Sequence, residues 1–325
     1  MTLKNMPKVE LHLHLEGAAP PEFIRSLAQE KTINLSGVFT ENGAYRFENF
    51  NQFLATYEAA CTVLTGPQEF LRLTEAVLEQ SQDHGVVYSE VFLSPDFCGT
   101  GDLGAWREYL AAIEEAADKS PVSVRAIVTC IRHLGPEEAK KSALCAAETA
   151  GAFITGFGMG GDEMRGSQKD FAYSFDMARE AGLQLTTHAG EWGGAREVRD
   201  ALDHLNVERI GHGVGAATDD ALMDRLADTG VMLEVCPGSN VSLGVARSWS
   251  DHPIELLRRR GVKVSVSTDD PPFFHTNLTS EYEHLANTFG WEAETFSEIN
   301  RDAIASAFCD AATKDDILKK LEPTP

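Results

Sequence analysis

Basic charge is scarce in this sequence. Only 28 lysines and arginines stand against 50 aspartates and glutamates, a formal net charge of −22. A surface this acidic repels phosphate backbones and anionic lipid headgroups, which argues against nucleic acid and membrane surfaces as partners. Long apolar runs are missing as well. No segment approaches the ~20 residues that cross a bilayer, and the N-terminus has no apolar stretch of signal-peptide length. The six cysteines (Cys61, Cys98, Cys130, Cys145, Cys236 and Cys309) are scattered and form no C-x-x-C pair. That pattern fits reduced, mostly structural thiols. Low-complexity tracts, Pro/Ser-rich linkers and short-period repeats are absent too. The expectation is a soluble, cytoplasmic protein whose 325 residues form one domain, with 43% hydrophobic residues to fill its core.

What the chain does have is a rhythm. A short β-branched run is followed by a Gly/Pro/acid-rich turn, then by a longer stretch of helical periodicity. The runs occupy 8–15, 86–94, 122–132, 154–161, 183–191, 209–214, 231–240 and 262–270. "SQKDFAYSFDMAREAG" and "TDDALMDRLADTG" are two of the helical patterns between them, the second with a Thr-Asp-Asp start and a terminal Gly. Strands alternating with helices pair in parallel, and eight such units predict an α/β fold of the (β/α)8 TIM-barrel type. An open doubly wound sheet is the alternative.

The first connection breaks the rhythm, with about 70 residues between the first two runs. In it, "YRFENFNQFLATYEAACTVL" carries Phe47, Phe50, Phe53, Leu54 and Tyr57 at helical spacing. The plain reading is an extra core helix. The functional one is a helical insertion, about residues 36–80, that forms a lid whose aromatics cover a flat ligand.

Catalytic groups of a barrel sit at the C-terminal ends of its strands. Here those ends carry His12 and His14, His188 and Glu191, His212, and Asp269 with Asp270. A strand alternates faces with period two, so His12 and His14 point the same way. Strand eight closes against strand one, so His188 and Asp269 can complete their cluster. Three imidazoles and a carboxylate make a nitrogen/oxygen site suited to zinc, with one position left for water. Each piece alone has a plainer reading. His-x-His can be a surface or capping pair, "RIGHGV" can hold one buried histidine, and "STDDP" can be a turn that caps a helix. Convergence of four strand ends is what favours the metal. Among the other histidines, His84 reads as a helix C-cap, while His204, His252 and His284 are expected to be solvated. His133 and His275 fall near the mouth without an assigned role.

The motifs "VELHLHLEGA", "GGDE", "THAGE", "RIGHGV", "CPGSN" and "STDDP" follow the order and spacing of the adenosine/adenine deaminase family of metal-dependent amidohydrolases, which the chain resembles from residue 7 to about 310. The resemblance implies a barrel with one Zn2+ and hydrolytic removal of the 6-amino group of a small-molecule purine nucleoside or base. It implies zinc ligands at His12, His14, His188 and Asp269. It also implies a proton donor to ring N1 at Glu191, and at His212 a residue that orients the attacking hydroxide and helps take its proton. Asp270 and the backbone N–H of Gly161 would hold the ring nitrogens. Binuclear relatives bridge two metals through a lysine at the end of strand four, but "ITGFGMGGDE" contains none, so one metal is expected. The H-x-E and P-C-x-x-C signatures of the cytidine-type zinc deaminases are also absent.

Substrate signals are mixed. In the family, the position of Glu16 is usually Asp in adenosine deaminases and Glu in adenine deaminases. "CPGSNVSLGV" and "DDPPFF" lean the same way, whereas Gly211 is adenosine-like. The expectation ranks adenosine first, adenine a close second and a modified adenine nucleoside third. A non-catalytic nucleoside-binding relative is the reading from another class, but such relatives usually lose a ligand or the proton donor, and here the set is complete.

Overall fold

The computed structural model describes residues 2–322. Eight parallel strands run in chain order round the molecule: β1 (Lys8–His14), β2 (Val86–Leu93), β3 (Ser123–Ile131), β4 (Ile154–Gly160), β5 (Gln184–Ala189), β6 (Arg209–His212), β7 (Met232–Val235) and β8 (Val264–Val266). Helices alternate with them, so the expected (β/α)8 barrel is the fold. It closes between β8 and β1, where the His14 N–H reaches the Asp269 carbonyl at 3.0 Å and the Asp269 N–H reaches the His12 carbonyl at 3.1 Å. Side chains help the seam: the Leu11 N–H donates to Ser267 Oγ and the Thr268 N–H to Glu10 Oε1.

Strands β1 and β2 shift register twice: one step from Lys8 to Val9 matches two from Val86 to Tyr88. Glu10 pairs with Ser89, but Leu13 pairs with Val91, so three steps on β1 match two on β2. Val9 and Leu11 join Met232, Ile304 and Ile317 in the packing at the barrel floor. His12 and His14, two residues apart on the same face, lie in the cluster at the mouth. Two C-terminal helices (Ala293–Ser306 and Ala311–Leu321) supply the floor, and Phe308 between them packs on Phe92 and Ile127.

Several strands are shorter than the apolar runs suggested. Run seven extends to 240 in sequence, but β7 stops at Val235. Pro237, which has no N–H to donate, opens a short helix (Pro237–Ser242). The helix after β6 (Asp220–Thr229) is capped by Asp219, whose carboxylate accepts the Leu222 N–H, rather than by Thr218; Gly230 ends it in the left-handed conformation. The first connection holds α1 (Pro21–Lys31), α2 (Phe50–Cys61) and α3 (Pro67–Asp83). The last of these packs against the helix Leu103–Asp118 in the outer ring, so α1 and α2 are the true additions to the barrel. All six cysteines are free thiols. Among the described residues, no helix is long and apolar enough to cross a membrane.

Candidate active site

Eight of the nine residues singled out in the sequence line one pocket: His14, Glu16, Gly161, His188, Glu191, His212, Asp269 and Asp270. The ninth, His12, is fully buried beside it, its ring 4.5 Å from that of His188 and 4.9 Å from that of His212. Two of the strand-end residues hold an unusual backbone. His212 (φ 58°) and Asp269 (φ 65°) are left-handed, a conformation non-glycine residues adopt at a cost and retain mostly where the surroundings enforce it. Glycines make room for the rings. A Cβ on Gly211 would meet His12 Cε1 at 2.9 Å, and one on Gly160 would meet His188 Cε1 at 3.3 Å. Packing against His12 therefore accounts for Gly211 without reference to substrate.

Hydrogen bonds fix which nitrogens face inward. His188 Nδ1–H donates to the Met159 carbonyl at 2.8 Å, and His12 Nδ1–H donates to Glu234 Oε2 at 2.9 Å. Both rings then turn an Nε2 lone pair to the centre. His14 Nε2 stands 3.3 Å from His188 Nε2 and 3.3 Å from Asp269 Oδ1, and His12 Nε2 also stands 3.3 Å from Asp269 Oδ1. His12 Nε2 is buried without a hydrogen-bond partner. Lone pairs this close repel unless a cation lies among them. Burial works against a proton on His12, but the flanking Asp269 and Glu234 more than reverse it and lift its pKa to about 9. Burial keeps His14 and His188 neutral. Although buried, Asp269 is held well below the usual carboxylate range by His12 and His14. A donor set that traps a proton in this way fits a divalent metal in the proton's place.

Proximity alone gives a slightly different grouping. The nearest ligand atoms of His12, His188, His212 and Asp269 all lie within 4.8 Å of one another, and His14 groups separately with Asp269 and Asp270. The hydrogen bonds separate His212 from the ligands. Its Nδ1 receives Asn240 Nδ2–H at 3.2 Å, so its proton sits on Nε2, which faces Glu191 Oε2 at 3.8 Å and Asp269 Oδ2 at 3.9 Å.

Two acids beside the cluster are pushed toward the neutral form. Burial, then the charges of Asp269 and Glu163, push the Glu191 carboxyl well above its ordinary range. Burial, then Asp269, Glu16 and Glu191, do the same to Asp270, whose Oδ1 is buried and unpartnered. Glu16 is 4% exposed and accepts the Ser94 N–H at 3.3 Å; burial raises it to about 7. Above them, α2 contributes Phe50, Phe53, Leu54 and Tyr57 to the pocket wall. Tyr57 and Phe53 also pack on Phe273, just after Asp270.

Several supporting residues escaped the sequence reading. Glu163 receives the backbone N–H groups of Gly190, Trp192 (2.6 Å) and Gly193 (3.2 Å), and so clamps the loop that carries Glu191. Glu234 and Arg209 lie behind His12, and Ser239 Oγ–H holds Asp269 Oδ2 at 2.7 Å. A charged residue inside an apolar strand run, as in "MLEV", was the available signal for Glu234. His252 corrects an expectation. It is 3% exposed rather than solvated, because Asn240 and the Ile254 N–H occupy both its nitrogens. His84 does cap its helix, and His133 lines the pocket mouth.

Comparison with known proteins gives a consistent result. A family model described as adenosine deaminase matches residues 7–324. An adenine deaminase of Rhizobium leguminosarum bv. trifolii is 45% identical over 99% of this chain and 100% of its own length. One from Rhizobium rhizogenes is 44% identical over 98% and 99%. Among solved structures, the adenine deaminase of Arthrobacter aurescens superposes with a TM-score of 0.89 at 30% identity, over 97% of this chain and 98% of that one. An amidohydrolase from Burkholderia ambifaria with bound Zn shares the fold, with a TM-score of 0.86 at 24% identity over 98% and 93%.

Proposed function

The chain belongs to the adenosine deaminase family, and from that premise we propose that it converts adenine and water to hypoxanthine and ammonia. That it is a hydrolase that deaminates a 6-aminopurine follows from the family itself. The base in place of the nucleoside reverses the order expected from sequence. Its support is the naming of the relatives at 44–45% identity and one observation in the pocket, the buried carboxyl of Glu16. A free purine carries an N–H on its imidazole ring, where a nucleoside carries the sugar. Glu16 can accept that N–H. Against a sugar, the same buried carboxyl loses that partner, which costs about 1–3 kcal/mol.

We assign the metal to His12, His14, His188 and Asp269, and zinc as the ion that best suits three imidazoles and one carboxylate. Bound there, the ion supplies hydroxide at neutral pH by acidifying water. The chain's own residues do the rest. Glu191, kept protonated, donates to ring N1 as oxygen adds to C6, which neutralises the charge pushed onto the ring. Asp270, also protonated, donates to N7, and the Gly161 N–H takes another ring nitrogen. His212 Nε2–H holds the attacking oxygen toward C6. The proton of the added hydroxyl passes, through the Glu191 carboxylate, to the amino group, which leaves as ammonia as the C6 carbonyl forms. We read the whole chain as one barrel domain, with the stretch around α2 as the lid whose aromatic rings exclude water from the flat base.

Ammonia release by zinc-loaded protein, with adenine and adenosine assayed side by side, tests this reading. Turnover of adenine with little or none of adenosine is expected. Fast turnover of adenosine alone overturns the role given to Glu16. No turnover of any 6-aminopurine, in protein that takes up no divalent metal, returns the chain to a binding role.

A further inference from the structure

Asn240, the last residue of "CPGSN", and the histidine at 252 have no part in the chemistry above, yet both lie behind His212. Asn240, in the short helix Pro237–Ser242, is fully buried, and His252, which follows the 3-10 turn Trp249–Asp251, is 3% exposed. We propose that His252 and Asn240 are positioning residues that lock His212 in the tautomer carrying its proton on Nε2. They thereby keep a fourth imidazole from becoming a metal ligand. The inference rests on the deaminase reading for its consequence, but not for its geometry.

The direction of the chain of hydrogen bonds starts from a group that cannot reverse. The backbone N–H of Ile254 donates to His252 Nδ1 at 3.2 Å, so that nitrogen is an acceptor. Burial holds His252 neutral, with its pKa lowered to about 4, so its one proton is on Nε2. Nε2–H donates to Asn240 Oδ1 at 3.1 Å. That fixes the amide orientation, and Asn240 Nδ2–H donates to His212 Nδ1 at 3.2 Å. The proton of neutral His212 is therefore on Nε2. Each step follows from the one before, from a peptide N–H to the site.

The consequence depends on where Nε2 is. It lies 3.9 Å from Asp269 Oδ2, and the His212 ring is 4.9 Å from that of His12 and 5.1 Å from that of His188, near enough to join them on one ion. With a lone pair there, His212 would compete for the position that the water must hold. With a hydrogen there, it cannot bind metal and instead donates to the oxygen that attacks. One amide decides between ligand and donor.

The test reads the tautomer directly. In protein labelled with 15N in the histidine rings, the His212 signals are those lost in His212→Gln. The expected result is an Nε2–H tautomer for His212, with or without zinc and without substrate. Asn240→Asp places a carboxylate oxygen where the amide donor was, and should move the His212 proton to Nδ1. In that variant kcat should fall about 10²-fold, with KM changed far less and zinc held at least as tightly. Should Asn240→Asp fail to fold, His252→Phe is expected to blur the tautomer and lower kcat. His252→Gln, which keeps an N–H donor toward Asn240 Oδ1, should then restore most of both. An Nδ1–H tautomer in the wild type overturns the proposal, as does an unchanged His212 spectrum in both Asn240→Asp and His252→Phe. Wild-type protein with the expected tautomer but no deaminase activity instead counts against the proposed reaction.

Discussion

Glu234 Oε2 lies 2.9 Å from His12 Nδ1, and both side chains are fully buried. The same carboxylate receives Arg209 Nε at 2.6 Å on its other oxygen, and Arg209 reaches Glu90 at 2.6 Å. Glu234 therefore orients the imidazole and raises its basicity toward a cation, while Arg209 keeps the carboxylate ionised in a dry interior. Glu234→Gln preserves the volume and an acceptor for His12 but removes the charge. Zinc affinity, measured by competition with a chromophoric chelator, should fall about 10–100-fold. An unchanged affinity would mean that the carboxylate serves only to balance Arg209.

Glu191→Gln separates proton donation from binding. The amide keeps the size of the side chain and its place on the loop clamped by Glu163, but it has no acidic proton for N1. Turnover should drop about 10²–10⁴-fold, with zinc content and the affinity for a non-reacting purine close to wild type. Near-normal turnover by this variant would move the role of acid to another carboxyl of the pocket, such as Asp270.

Glu16→Asp tests the choice between base and nucleoside. Shortening the side chain by one methylene withdraws the carboxyl from the pocket and opens space beside Tyr57. The ratio of kcat/KM for adenosine over adenine should rise about 10-fold or more, the usual scale for one methylene in a shaped pocket. If the ratio stays fixed while both rates fall together, Glu16 supports the fold of the β1 loop and selects nothing.

Much of this site was legible because its residues lie at strand ends, where the barrel brings distant sequence together. His12 and His14 could be read from period-two alternation, and Asp269 from its position at the end of the strand that closes on β1. The two register shifts between β1 and β2 were not legible, since nothing in "VELHLHL" marks them. The left-handed backbone at His212 and Asp269 was hidden for a similar reason: no glycine announces it, and the site enforces it. Strand ends were overestimated where a buried run continued into a turn. Supporting residues depend on partners 12 to 222 positions away, as with His252 and Asn240 or Glu234 and His12. "SDHPIE" looks like a solvated loop until the chain is folded.

Stability should carry its own pH signature. Glu281, in the helix Leu278–Phe289, is fully buried, with Gly238 N–H at 2.9 Å on Oε2 and the Thr276 hydroxyl at 2.5 Å on Oε1. Burial raises its pKa from 4.5 to about 8 against the pull of those two donors. Between these values the folded chain keeps a proton that the unfolded chain has released, so stability falls as pH rises through that window and levels off above it. Glu281→Gln cannot ionise, yet it retains an acceptor for Gly238 and a donor for Thr276. Its Tm relative to wild type should therefore increase from pH 5 to pH 8, by roughly 2 °C for each kcal/mol of penalty removed. Paired melting curves at constant zinc saturation read the difference directly. Parallel Tm profiles would mean that the two donors stabilise the ionised carboxylate enough to offset its burial.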